Sequence, residues 1–82
     1  MRVLYVKEGC PVCRAILDYV IKYNIRNPPS KQILIKWSLD EVDRRILRKY
    51  GRIEFPTMIF DDYVIKITKP LNINKVLEVL DE

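Results

Sequence analysis

The reactive chemistry of this chain lies in two cysteines, Cys10 and Cys13, in the run Cys10-Pro11-Val12-Cys13. The run follows a β-branched and aromatic stretch and opens an apolar stripe at helical spacing, Cys13, Ile16, Leu17 and Val20. Proline suits the first helical position, because the N–H it lacks has no partner there. Cys10 then falls at a helix N-terminus, where unpaired N–H groups and the helix dipole favour an anion by about 0.3–1 kcal/mol. Thiolate is the attacking form of sulfur, and Lys7, three residues earlier, is the candidate cation to support it. Cys13, one turn on, can offer its S–H or N–H to the first sulfur. The chemistry expected is thiol-disulfide exchange. Cys10 attacks a substrate disulfide, then Cys13 attacks Cys10, releases reduced substrate and leaves a 10–13 disulfide.

Three plainer uses of the pair compete. A structural staple across a four-residue ring would add only about 2 kcal/mol by loop entropy. Zinc wants four ligands, and two cysteines with no histidine would need dimerisation or acidic ligands to complete the set. Two buried core cysteines would account for Cys13 on the inner stripe, but not for Gly9-Cys10-Pro11 at a strand-to-helix junction. The absence of histidine also removes His-based triads, His-ligated metals and His acid-base catalysis.

The elements that must position the pair are legible along the 82 residues, which make one domain, 1–82, with no repeat or linker. At 49% hydrophobic there is material for a core, and at 32% charged the chain should be soluble. Residues 2–7 read as a first strand and Pro11 to Asn24 as a helix. Gln32 to Trp37 reads as a second strand, whose apolar run Ile33-Leu34-Ile35 suggests cover on both faces. Ser38 with Glu41 forms a capping-box pattern ahead of a helical stripe of Leu39, Val42, Ile46, Leu47 and Tyr50, with Gly51 at the stop. Thr57 to Phe60 and Tyr63 to Ile67 read as a hairpin turning at Asp61-Asp62. Asn72 can cap a last helix with Ile73, Val76, Leu77 and Leu80 inward. The order β-α-β-α-β-β-α predicts an α/β fold with a four-stranded mixed sheet, the first two strands parallel and helices on both faces.

Phe55-Pro56-Thr57 is the second feature. A proline just before a strand is either an ordinary boundary residue or a cis proline kept for backbone shape.

Taken together, Lys7-Glu8-Gly9-Cys10-Pro11-Val12-Cys13 and Phe55-Pro56-Thr57 resemble the thioredoxin superfamily, and more closely its small glutaredoxin-like members. The resemblance covers essentially the whole chain, whose element order is that of the minimal thioredoxin fold. It implies that Cys10 is the exposed nucleophile, Cys13 the resolving thiol and Pro56 a cis proline packed against the pair. It implies that Phe55 pairs its main chain with a bound peptide or glutathione strand, and that Val12 and Thr57 lie at the substrate-binding edge. Tyr50-Gly51 ahead of Phe55-Pro56-Thr57-Met58 is similar to the run before that proline in thioredoxins. Val12 stands where glutaredoxins usually carry tyrosine. The stretch Tyr63 to Pro70 lacks their Gly-Gly, and Gly9 and Leu4 stand where thioredoxins have tryptophan and aspartate. A protein-disulfide reductant of glutaredoxin size fits this pattern, with no tightly bound cofactor, recycled by a flavoprotein reductase or by glutathione.

The alternative is a non-catalytic binding module. Arg44-Arg45-Ile46-Leu47-Arg48-Lys49-Tyr50-Gly51-Arg52 is a dense basic run that could dock an acidic partner or nucleic acid, and the net charge of +4 permits this. Asp40, Glu41 and Asp43 precede it, and acid at a helix start with base at its end suits the helix dipole. No nucleic-acid recognition module matches. No segment has the roughly 20 apolar residues of a membrane span, and the apolar start is too short for a signal peptide. The expectation is a cytoplasmic monomer whose cysteines are normally reduced.

Overall fold

The computed structural model describes residues 2–61 and 63–66. The elements in order are strand β1 (Arg2–Tyr5), helix α1 (Pro11–Arg26), a 3-10 turn (Pro29–Lys31), strand β2 (Leu34–Lys36), helix α2 (Glu41–Arg48), and strands β3 (Thr57–Phe60) and β4 (Tyr63–Lys66). The sheet order is β2-β1-β3-β4. β1 runs parallel to β2, with Leu4 opposite Ile35, and antiparallel to β3, which is antiparallel to β4. This is the mixed α/β sheet that the pattern predicts. The helix expected from Asn72 and the segment 67–70 lie outside the described residues.

Alternation along β1 divides the core. Leu4, with Val6 just beyond the strand, packs with Cys13, Ile16, Val20 and Met58 on the α1 side, while Val3 and Tyr5 pack with Leu47 and Ile59 on the α2 side. The two described helices therefore cover opposite faces. α1 runs two residues past the expected Asn24. Asn24 holds its end to the sheet, donating Nδ2–H to the Ile33 carbonyl at 2.9 Å and accepting the Ile33 N–H at 2.7 Å.

α2 differs from its sequence pattern. The N-cap is Asp40, not Ser38, and the capping box joins Asp40 to Asp43. Asp43 is buried, bound by Lys36 and Tyr5, and this fixes the helix start two residues later. The inward face of the helix is set by Asp43 and Leu47, one turn apart. Leu47 is buried as expected, but Val42 is 61% exposed and Tyr50 50% exposed. Arg45 and Arg48 occupy the last turn, and Glu41 and Asp43 the first, as the dipole prefers. The expected cover on both faces of the second strand also fails at Leu34, which is 57% exposed. β2 is an edge strand, and an eight-residue α2 places its inward Leu47 over Val3, Tyr5 and Ile59 rather than over Leu34.

The hairpin turn falls where expected, with Phe60 paired to Tyr63. Asp61 takes φ 54, a conformation aspartate tolerates better than most residues. Arg2 braces it, donating Nε–H and an Nη2–H to its carboxylate at 3.0 and 2.7 Å while its guanidinium lies 4.4 Å from the Phe60 ring centroid.

Candidate functional site

β1 delivers the chain to a turn at Gly9, whose φ of +71 is one that side-chain-bearing residues rarely adopt. A Cβ there would meet nothing within 4 Å, so backbone conformation alone calls for glycine. Cys10 follows in extended conformation as the N-cap of α1, with Pro11 at the first helical position, as the sequence suggests. The cap is made by sulfur: the Cys13 N–H donates to Cys10 Sγ at 3.2 Å. The Cys10 carbonyl accepts the Arg14 N–H at 3.2 Å, closing the first turn.

The two thiols occupy different surroundings. Cys10 is half-buried and Cys13 is 2% exposed. Burial pushes the Cys13 thiol up to about 11, and its hydrogen bond to Cys10 adds to this. A main-chain hydrogen bond from Lys7 and the charge of Lys7 act in the opposite direction but do not overcome burial. Cys13 is therefore a protonated thiol at neutral pH, held against an accessible neighbour.

A cleft of about 560 Å³ opens in front of the pair. Lys7 to Pro11 line one part of it, Cys13 and Arg14 another, and Trp37 enters from the segment after β2. In sequence, a tryptophan closing the second strand reads as core or its rim, and Arg14 belongs to no motif. Trp37 is 54% exposed. The signal for it was positional: it follows a strand parallel to the one leading to Cys10, and ligands bind where parallel strands end. Arg14 was legible as the residue one turn beyond Cys10 on the same helix.

The other expected site residues sit at varying distance from this cleft. Lys7 lines it, with its ammonium 5.7 Å from the Phe55 ring centroid. Val12 is half-buried and packs against the α1-side core rather than lining the cleft. The Phe55–Pro56 bond is cis. Phe55 packs against both core clusters, Pro56 is buried, and buried Thr57 donates its hydroxyl to the Glu54 carbonyl at 2.6 Å. Through Lys7 this segment adjoins the cysteine loop, though none of its three residues lines the cleft.

Among the described residues, no group of three or more His, Cys, Asp or Glu side chains is placed to hold a metal ion. No described helix is long and apolar enough to cross a membrane. The sequence matches no protein-family model and no curated protein.

Proposed function

We propose that this protein is a thiol-disulfide oxidoreductase that reduces protein or small-molecule disulfides through Cys10 and Cys13. The observation that carries the proposal is the asymmetry of the pair. Cys10 faces the cleft at a helix N-cap, with an N–H on its sulfur. Cys13 borders the same cleft but is buried and kept protonated. The Cys10 thiolate attacks one sulfur of a substrate disulfide, forms a mixed disulfide and expels the other sulfur as thiolate. Cys13 then gives up its proton to the substrate thiolate already expelled and attacks Cys10. The 10–13 disulfide forms, the second substrate thiolate leaves, and two electrons have passed from the dithiol to the substrate. A flavoprotein reductase or two molecules of glutathione return the electrons. Burial protects the resolving thiol from solvent oxidants until the mixed disulfide forms beside it.

The chain also fits a glutaredoxin-like member of the thioredoxin superfamily. The mixed sheet with a helix on each face, the cysteine pair at the first strand-to-helix junction and the cis proline before β3 all support that reading.

The test is turnover of a protein disulfide by wild type, Cys10→Ser and Cys13→Ser. Cys10→Ser should fall to background. Cys13→Ser should accumulate a mixed disulfide at Cys10, visible by intact mass. Wild-type reductase activity in Cys10→Ser would sink the assignment.

A further inference from the structure

Building on the redox reading above, we infer that Arg14 and Trp37 select the substrate. The cleft accepts an extended protein segment whose cysteine is flanked by an acidic residue. Arg14 meets the carboxylate, and Trp37 lies against the apolar stem of the same segment.

The argument begins with charge. The cleft lining carries Lys7 and Arg14 against the single acid Glu8. The first turn of α1 contains no acidic residue, whereas that of α2 contains Glu41 and Asp43. The positive end of α1 is therefore not compensated from within its own helix. Lys7 lies beside the Phe55 ring. Arg14 is exposed, and no ion pair to it forms among the described residues. Its main chain is fixed by the bond to the Cys10 carbonyl, which sets it one helical turn from the attacking sulfur. Residues four apart on a helix have Cβ atoms about 5–6 Å apart, so the guanidinium can reach a residue next to the substrate cysteine. A planar guanidinium favours a carboxylate with two parallel hydrogen bonds.

Trp37 supplies the second contact. A large exposed indole beside a nucleophile offers broad contact area for little conformational cost. It comes from a different segment than Cys10, so a bound chain would lie between the two. At about 560 Å³ the cleft falls in the size range of small-ligand sites, which suits a short peptide stretch.

The experiment uses three peptide disulfides that differ only in the residue beside cysteine, glutamate, glutamine or lysine, together with a glutathione mixed disulfide. Wild type, Arg14→Glu and Trp37→Ala are compared by kcat/KM at low and physiological salt. Wild type should prefer the glutamate peptide to the lysine peptide by about tenfold at low salt and by less as salt rises. Arg14→Glu should reverse the order. Trp37→Ala should slow all three peptides by a similar factor and leave the glutathione disulfide less affected. An unchanged glutamate-to-lysine ratio in Arg14→Glu, with all peptides still reduced, overturns the selection and leaves the redox reading intact. So does reduction of the glutathione disulfide alone. Failure to reduce any disulfide removes the redox reading and this inference with it.

Discussion

Alternate residues at the end of β1 lead to opposite sides of the sheet, Leu4 and Val6 toward the cysteines, Val3 and Tyr5 toward Asp43. Around Asp43 the described polar side chains bond to one another. Tyr5 donates its hydroxyl to Asp43 Oδ1 at 3.1 Å, and Lys36 Nζ reaches the two carboxylate oxygens at 2.9 and 3.0 Å. The Asp40 N–H donates to Asp43 Oδ2 at 3.2 Å, and the Asp43 N–H donates back to Asp40 at 2.8 Å. On the cysteine side, a half-buried sulfur, an arginine and a tryptophan border open space. A closed network of this kind fixes a structure, because each partner removed leaves another unsatisfied. An open array bordering a half-buried thiol has capacity left for a ligand. The difference separates the part of the molecule that holds β1 in place from the part that uses where β1 ends.

The largest effect expected on the closed side follows from removing its centre. Asp43→Ala deletes the acceptor of Tyr5 and Lys36 and one half of the α2 capping box, and should cost about 2–3 kcal/mol of stability. Chemical denaturation checks this. Disulfide reduction per folded molecule should stay at the wild-type level. A loss of reductase rate matching the loss of stability would mean that the two sides are coupled through β1 and would break the comparison.

Acid should act on the same side. The hydrogen bond from Lys36 holds the Asp43 carboxyl below the usual carboxylate range, against the opposing effect of burial. A carboxylate with a lowered folded-state value contributes stability that is present above its unfolded value, near pH 4, and lost as pH falls through the folded one. Stability should therefore decline below about pH 4, and Asp43→Asn should flatten that decline. Asp61 is also lowered, by Arg2, but its side chain is 46% exposed. Its share should shrink in added salt, while that of Asp43 persists. Denaturation midpoints at pH 7 to 3, at two salt concentrations, separate them.

The two sides also differ in how far the sequence reveals them. The cysteine side is written locally. Gly9, Cys10, Pro11 and Cys13 lie within five residues, and each has a backbone reason for its place. The closed side depends on Tyr5 meeting Asp43 across 38 residues. In sequence Asp43 looks like one more acid at a helix start. Ser38-Leu39-Asp40-Glu41 and Asp40-Glu41-Val42-Asp43 are both credible caps, and only the tertiary contacts of Asp43 decide between them. Val42 is exposed because the inward face of α2 carries Asp43 and Leu47, and Tyr50 lies beyond the helix, which ends at Arg48. Trp37 escaped notice for a related reason. A tryptophan ending an apolar run reads as core until the sheet order shows β2 at an edge, with its end beside the cysteine loop.

The smallest stability effect should come from the substitution expected to do most to the proposed chemistry. Cys10 caps α1 through its sulfur, at 3.2 Å from the Cys13 N–H. Serine is among the best N-cap residues, and its oxygen can accept the same bond at a shorter distance. Cys10→Ser should thus change stability by no more than about 0.5 kcal/mol, in the stabilising direction if at all. Thermal denaturation of the reduced proteins reads this directly. A clear destabilisation would mean that the sulfur contributes packing or a hydrogen bond that oxygen cannot replace, so that Cys10 belongs to the structural half of the molecule as well. An unchanged or raised midpoint, beside abolished turnover, would place Cys10 wholly on the open side, where a residue can be vital to the reaction and dispensable to the fold.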